Sequence, residues 1–113
     1  MTVVEIKDMA GFKELLKSHP TVIIDAGATW CAPCKAISPY FEKYSELGEY
    51  DSDKVVFAKF DTDEVPDLAQ ELGIRSIPAF FHFQDGELYE KVAGANPGAL
   101  GKLVEQATQK ASA

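Results

Sequence analysis

The chain has 113 residues, 46% of them hydrophobic and 26% charged, with eighteen acidic against eleven basic side chains and a net charge of −7. That length and balance predict one globular domain over residues 1–113, with enough apolar material for a single core. The negative charge argues against nucleic acid or an anionic membrane as the main partner, and no stretch approaches the roughly 20 apolar residues needed to span a bilayer. Met1 to Lys7 is a strand-like run without the basic and then apolar order of a signal peptide, so the expected location is the cytoplasm.

Val3 to Ile6 is the first predicted strand. Asp8 then offers an N-cap, and Phe12, Leu15 and Leu16 follow at the spacing of a helix with one apolar face, ended by His19-Pro20. Val22 to Ala26 is short, β-branched and apolar on both faces, as expected of a strand buried between two helical layers. Ile37, Phe41 and Tyr44 mark a second helix that Gly48 should stop, with Pro39 inside it as an expected kink. Val55 to Phe60 is a third strand, and Pro66 opens a third helix carrying Leu68, Ala69 and Leu72, closed by Gly73. Ala79 to Phe83 and Leu88 to Ala93 read as two strands of a hairpin joined through Asp85-Gly86. Asn96-Pro97 caps a last helix with Leu100, Leu103, Val104 and Ala107 on one stripe, and Ala111 to Ala113 are expected to fray. The order βαβαβαββα predicts an α/β fold: a three-layer α/β/α sandwich around a central mixed five-stranded sheet, parallel first and antiparallel at the end. Functional sites in such sheets gather at the carboxyl ends of strands, and the second strand ends just before Cys31.

The only two cysteines, Cys31 and Cys34, lie three positions apart. A structural disulfide gains more from closing a longer loop, so this spacing points to redox chemistry or metal binding. Structural zinc normally takes four protein ligands, and only His19 and His82 are left to add, so no metal is expected. Cys31 falls just before the second helix, where unpaired amide N–H groups stabilise a thiolate, and is assigned the attacking role. Cys34, one turn further in, is placed to resolve the mixed disulfide. Pro33 suits an early helical position, and Lys35 adds a positive charge nearby. Asp25 is a lone charge in an apolar strand, which is costly unless it is neutral, paired or used.

These motifs, Asp25, Trp30-Cys31-Ala32-Pro33-Cys34-Lys35, Ile77-Pro78 and Gly94-Ala95, stand in the order and at the spacing of the thioredoxin family, and the chain resembles that family over nearly its whole length. The resemblance implies a thioredoxin fold and a dithiol reductant of protein disulfides. It implies Asp25 as the acid/base serving Cys34, with Lys59 near it, and a cis peptide at Pro78 facing the cysteines. Trp30, Ala32, Pro33, Ile77, Pro78, Gly94 and Ala95 would form a flat, nearly uncharged patch where a client backbone approaches closely. The resemblance further implies electrons from NADPH through a thioredoxin reductase, disulfide-containing client proteins, no bound cofactor beyond the Cys31–Cys34 pair, and a monomer.

Two departures stand out. Ala32 replaces the family's usual glycine between the cysteines, which predicts a reductant of somewhat altered potential. Ala26-Gly27 replaces an aromatic pair beside the active-site helix, so either Phe80, Phe81 or Phe83 fills that volume or the region is looser. An oxidant or isomerase on the same fold, and a binding module with idle cysteines, are the competing readings.

Overall fold

In the computed structural model, which describes residues 3–48 and 50–112, nine elements follow the expected order. They are β1 (Val3–Glu5), α1 (Met9–Ser18), β2 (Thr21–Gly27), α2 (Ala32–Leu47), β3 (Val55–Asp61), α3 (Pro66–Glu71), β4 (Ala79–Gln84), β5 (Glu87–Ala93) and α4 (Pro97–Ser112). The sheet runs β1-β3-β2-β4-β5, with β1, β3 and β2 parallel and β2, β4 and β5 antiparallel. β2 is therefore the central strand, paired on both edges, which explains its unbroken apolar run.

The pleat divides the core in two. Val22, Ile24 and Ala26 face one side with Ala58, Phe60, Phe81 and Phe83, covered by Phe12 of α1 and Leu68 of α3. Ile23, Phe57 and Phe80 face the other, covered by Ile37 and Phe41 of α2 and Leu100 and Leu103 of α4. Phe41 anchors α2 to the sheet, its ring centroid 5.4 Å from that of Phe57 and 5.9 Å from that of Phe80. By the same alternation Asp25, and Lys59 opposite it in register, lie on the face that α2 covers.

Several expectations shift at element ends. Ile6 lies beyond β1, although its N–H still donates to the Lys59 carbonyl at 2.8 Å. Gly48 ends α2 in extended backbone (φ −67°, ψ 132°) rather than the left-handed form a C-terminal glycine suggests. The last helix does not stop short of Ala111: it runs through Ser112, and Ala113 lies outside the described residues. Both predicted caps are present, with Asp8 Oδ1 accepting from the Gly11 N–H at 2.7 Å and Asn96 Oδ1 from the Ala99 N–H at 3.1 Å.

His82 is fully buried on β4. Its Nε2 meets Gln84 Oε1 at 2.9 Å, its ring packs 5.1 Å from Tyr89, and among the described residues its Nδ1 has no hydrogen-bond partner. Burial pushes its pKa below 6.5; the Gln84 contact and Glu90 oppose this and Lys110 adds to it. The unfolded chain therefore takes up this proton first as pH falls through 6.5, which costs native stability. Urea unfolding at pH 7 and pH 5 should show His82→Leu losing less stability on acidification than the wild type; equal losses would remove His82 from the account.

Candidate active site

The site is built where β2 ends and α2 begins. Cys31 is the N-cap of α2, and its Sγ accepts the Cys34 N–H at 3.2 Å. That is one of the orphan donors of a helix start, so the sulfur that becomes a thiolate already sits on a partial positive charge. Pro33 occupies the first turn without cost, as expected. Cys31 and Cys34 are joined as a disulfide, with Cα atoms 5.3 Å apart. Both are buried, together with Ala28 and against Ile77.

The opposing wall comes from the loop before β4. The Ile77–Pro78 peptide is cis, and the Ile77 carbonyl oxygen lies 4.0 Å from Cys31 Sγ. The Gly94 N–H donates to the Pro78 carbonyl at 2.8 Å, so the end of β5 is tied beside that loop. Gly94 does so at φ +101°, which a residue with a Cβ adopts only under strain. Ile77, Pro78 and Gly94 are thus brought to the disulfide, with Ala95 following in the chain. Trp30 is 69% exposed, and Ala32 and Pro33 are exposed as well, so this side of the surface is apolar and open, as the sequence suggests.

Two residues that sequence reasoning passes over hold Trp30 and its loop. Trp30 Nε1 donates to Asp63 Oδ2 at 2.7 Å, and Asp61 Oδ2 accepts from the Thr29 N–H at 3.3 Å. Asp61 Oδ1 also accepts from the Asp63 N–H at 2.7 Å, which orients the pair. Asp61-Thr62-Asp63 at a strand end is a legible turn signal, but its reach to Trp30 depends on β3 lying beside β2.

Asp25 is 8% exposed, and its pKa is raised from 3.8 to about 7. Burial is the main cause; Lys59 pulls it down and Glu42 on α2 pushes it up. Desolvation therefore wins the contest with Lys59 that the sequence leaves open, and Asp25 exchanges a proton near neutral pH.

The two substituted positions behave differently. Ala26 is fully buried in the core with Phe81 and Phe83, while Phe80 points to the opposite face. Gly27 faces α2, and a Cβ there would stand 3.2 Å from Cys34 Sγ and 3.3 Å from Cys34 Cβ. The atoms such a Cβ would meet belong to Cys34 rather than to an aromatic ring. A cleft of about 450 Å³ lies on this side, bordered by Asp25, Gly27, Cys34, Lys35, Ser38 and Lys59, and Phe60 lies along it.

A disulfide capping a helix at the carboxyl end of the central strand, with a titrating carboxyl on the same sheet face, defines a thiol–disulfide oxidoreductase. Comparison with known proteins agrees. The sequence model of the Thioredoxin family matches residues 2–106, and the chain belongs to that family. It is 44% identical over 101 residues to a thioredoxin of Coprinus comatus, covering 89% of this chain and 93% of that one. It is 43% identical over 104 residues to Thioredoxin-2 of Pyricularia oryzae, covering 92% of this chain but only 58% of that longer protein. The solved thioredoxin of Malassezia sympodialis superposes with a TM-score of 0.86 at 42% identity, covering 94% of this chain and 90% of that one.

Because the native state holds the Asp25 proton up to about pH 7 and the unfolded chain releases it near 3.8, native stability declines as pH rises through that window. Asp25→Asn should be nearly neutral at pH 4 and stabilising at pH 8 by up to about 4 kcal/mol, from the size of the shift. Urea titrations at the two pH values test this; a constant difference would mean that Asp25 is not buried as a neutral acid.

Proposed function

We propose that the chain is a dithiol reductant of protein disulfides in which Cys31 attacks and Cys34 resolves. The observation that carries this reading is the Cys34 N–H on Cys31 Sγ at 3.2 Å, which favours Cys31 over Cys34 as thiolate and as leaving group. In the forward direction the Cys31 thiolate attacks a client disulfide, forming a mixed disulfide and releasing one client thiolate. Cys34 then gives its proton to Asp25 and attacks Cys31 Sγ, which closes the internal disulfide and expels the second client sulfur as a thiolate, protonated in turn by Asp25 or solvent. Asp25, poised near pH 7 behind Cys34, is suited to that transfer, and Lys59 tunes it. Trp30, Ala32, Pro33, Ile77, Pro78, Gly94 and Ala95 serve as the client-contact patch, where the extended backbone of a client approaches the disulfide.

The recharging electrons are assigned to NADPH by way of a thioredoxin reductase, with no bound cofactor or metal. The protein is assigned to the cytoplasm as a single-domain monomer. A reducing compartment suits a closely spaced thiol pair, and no described helix is long and apolar enough to cross a membrane.

Insulin reduction with NADPH and a thioredoxin reductase tests the whole scheme. Wild type should turn over, Cys31→Ser should abolish turnover, and Cys34→Ser should accumulate a client mixed disulfide on Cys31. No turnover with both thiols intact would overturn the reading. Asp25→Asn should slow client reduction with a pH dependence unlike that of wild type; equal rates from pH 6 to 9 would exclude the proton-transfer role. Equilibration with a glutathione buffer should give a potential below that of the glutathione pool despite Ala32, and a potential equal to it would remove the reductant label.

A further inference from the structure

A second cleft, of about 500 Å³, opens between the loop after α3 and the edge strand β5. Its floor is apolar: Ala79 and Phe81 are buried there, with Leu72 and Ile74 half-buried beside them. Its only charged lining residues are Arg75 and Lys91, both exposed, so a chain of net charge −7 carries a purely cationic rim here. Strand alternation produces this. Lys91 pairs in register with Phe81 and shares its face, whereas Glu90 pairs with His82 and belongs to the opposite one. Among the described residues, neither the Arg75 nor the Lys91 side chain has a hydrogen bond or an ion pair. The cleft is continuous with the client patch. Ser76 lines it one residue before Ile77, whose carbonyl oxygen lies 4.0 Å from Cys31 Sγ, and Ala93 lines it one residue before Gly94. The cleft bordering Cys34 has the opposite character, with Glu5, Asp25, Asp61 and Glu64 against Lys35 and Lys59.

We propose that this cleft is a specificity subsite of the client patch, which receives an acidic side chain near the client cysteine under attack, with Arg75 and Lys91 as its determinants. The inference rests on the reductant reading and deepens it. Extended backbone advances about 3.3 Å per residue, and Arg75 precedes Ile77 by two positions. A client segment crossing Cys31 therefore brings to the rim a side chain about two or three residues from its cysteine. Glutamate suits both parts of the site: its methylenes cover the apolar floor, and its carboxylate meets the guanidinium and the ammonium. Both cations are exposed, so they act on encounter and its salt dependence more than on tight holding. The preference is directional. In the sheet order β3 and β5 lie on opposite sides of β2, and the carboxylates of Asp61 and Asp63 stand on the β3 side, so a glutamate on the other flank of the client cysteine gains nothing. The net charge of the chain would by itself repel an acidic client, and the local rim reverses that order.

The probes are short peptides with one cysteine capped by a neutral 2-thiopyridyl group, carrying Glu or Lys about two residues before or after that cysteine. The Cys31 thiolate of the reduced full-length chain attacks the peptide sulfur, the peptide–pyridyl disulfide breaks, and the electron pair leaves on thiopyridone, whose absorbance gives the second-order rate. At low salt the wild type should react at least about fivefold faster with Glu than with Lys at one of the two placements, and less than about twofold faster in about 0.5 M salt. Arg75→Glu/Lys91→Glu should invert the ratio. Lys13→Glu/Lys17→Glu, the same charge change at exposed positions of α1, should keep it. Equal rates for Glu and Lys at both placements, a Lys preference in wild type, a Glu preference surviving in Arg75→Glu/Lys91→Glu, or the same inversion in the α1 variant would each overturn the proposal. Should Arg75→Glu/Lys91→Glu not fold, Lys91→Gln decides in its place, with an expected fall in the ratio of at least about twofold. Insulin turnover without any charge preference would sink only this inference, whereas absence of insulin turnover would sink the reductant reading beneath it.

Discussion

The hydrogen bond from the Cys34 N–H to Cys31 Sγ is the contact on which the site depends. It exists because β2 delivers the chain to Cys31 in extended backbone and α2 begins at the next residue, so the sulfur takes the place a serine or aspartate oxygen fills at an ordinary helix start. The cap does two things at once. It satisfies an orphan donor of α2, and it holds a partial positive charge on the atom that must become anionic. Everything else about the fold serves to keep that helix start in place: Phe41 and Ile37 pin α2 to the sheet, and Asp61 and Asp63 fix the loop that precedes it.

The sheet arrangement makes the two cysteines unequal. Cys31 faces the cis Ile77–Pro78 wall and the exposed apolar surface around Trp30, the surface proposed for client contact. Cys34 borders a cleft that Asp25, Gly27 and Lys59 also line. Burial makes Asp25 costly as an anion, the property the proposed proton transfer near neutrality draws on; Lys59 moderates the cost without removing it. Stability and function pull in opposite directions at this residue, as is common for a charge buried for chemistry.

The departures from the family pattern have unequal consequences. Ala26 is absorbed into a well-packed face with Phe81 and Phe83, so the loss of a ring there changes little around the cysteines. Gly27 lies on the other face, where even a Cβ would press within 3.2 Å of Cys34 Sγ. One residue of sequence separates them, and the period-two alternation of a strand sends them to opposite layers.

Much of the architecture is legible in the sequence because its signals are local. Asp8 and Asn96 as caps, the apolar stripes of α1, α2 and α4, and the Asp85-Gly86 turn each act within a few residues, and each appears where expected. The Cys-x-x-Cys spacing likewise determines that the two sulfurs meet at a helix start. What only the tertiary structure decides is long-range: the balance between burial and Lys59 at Asp25, the anchoring of Trp30 by Asp63, and the cleft beside Gly27. These depend on which strands are neighbours and which face each residue presents to α2. Local pattern determines the elements and the chemistry they carry; the electrostatic environment and the routes of access arise only when distant segments pack together.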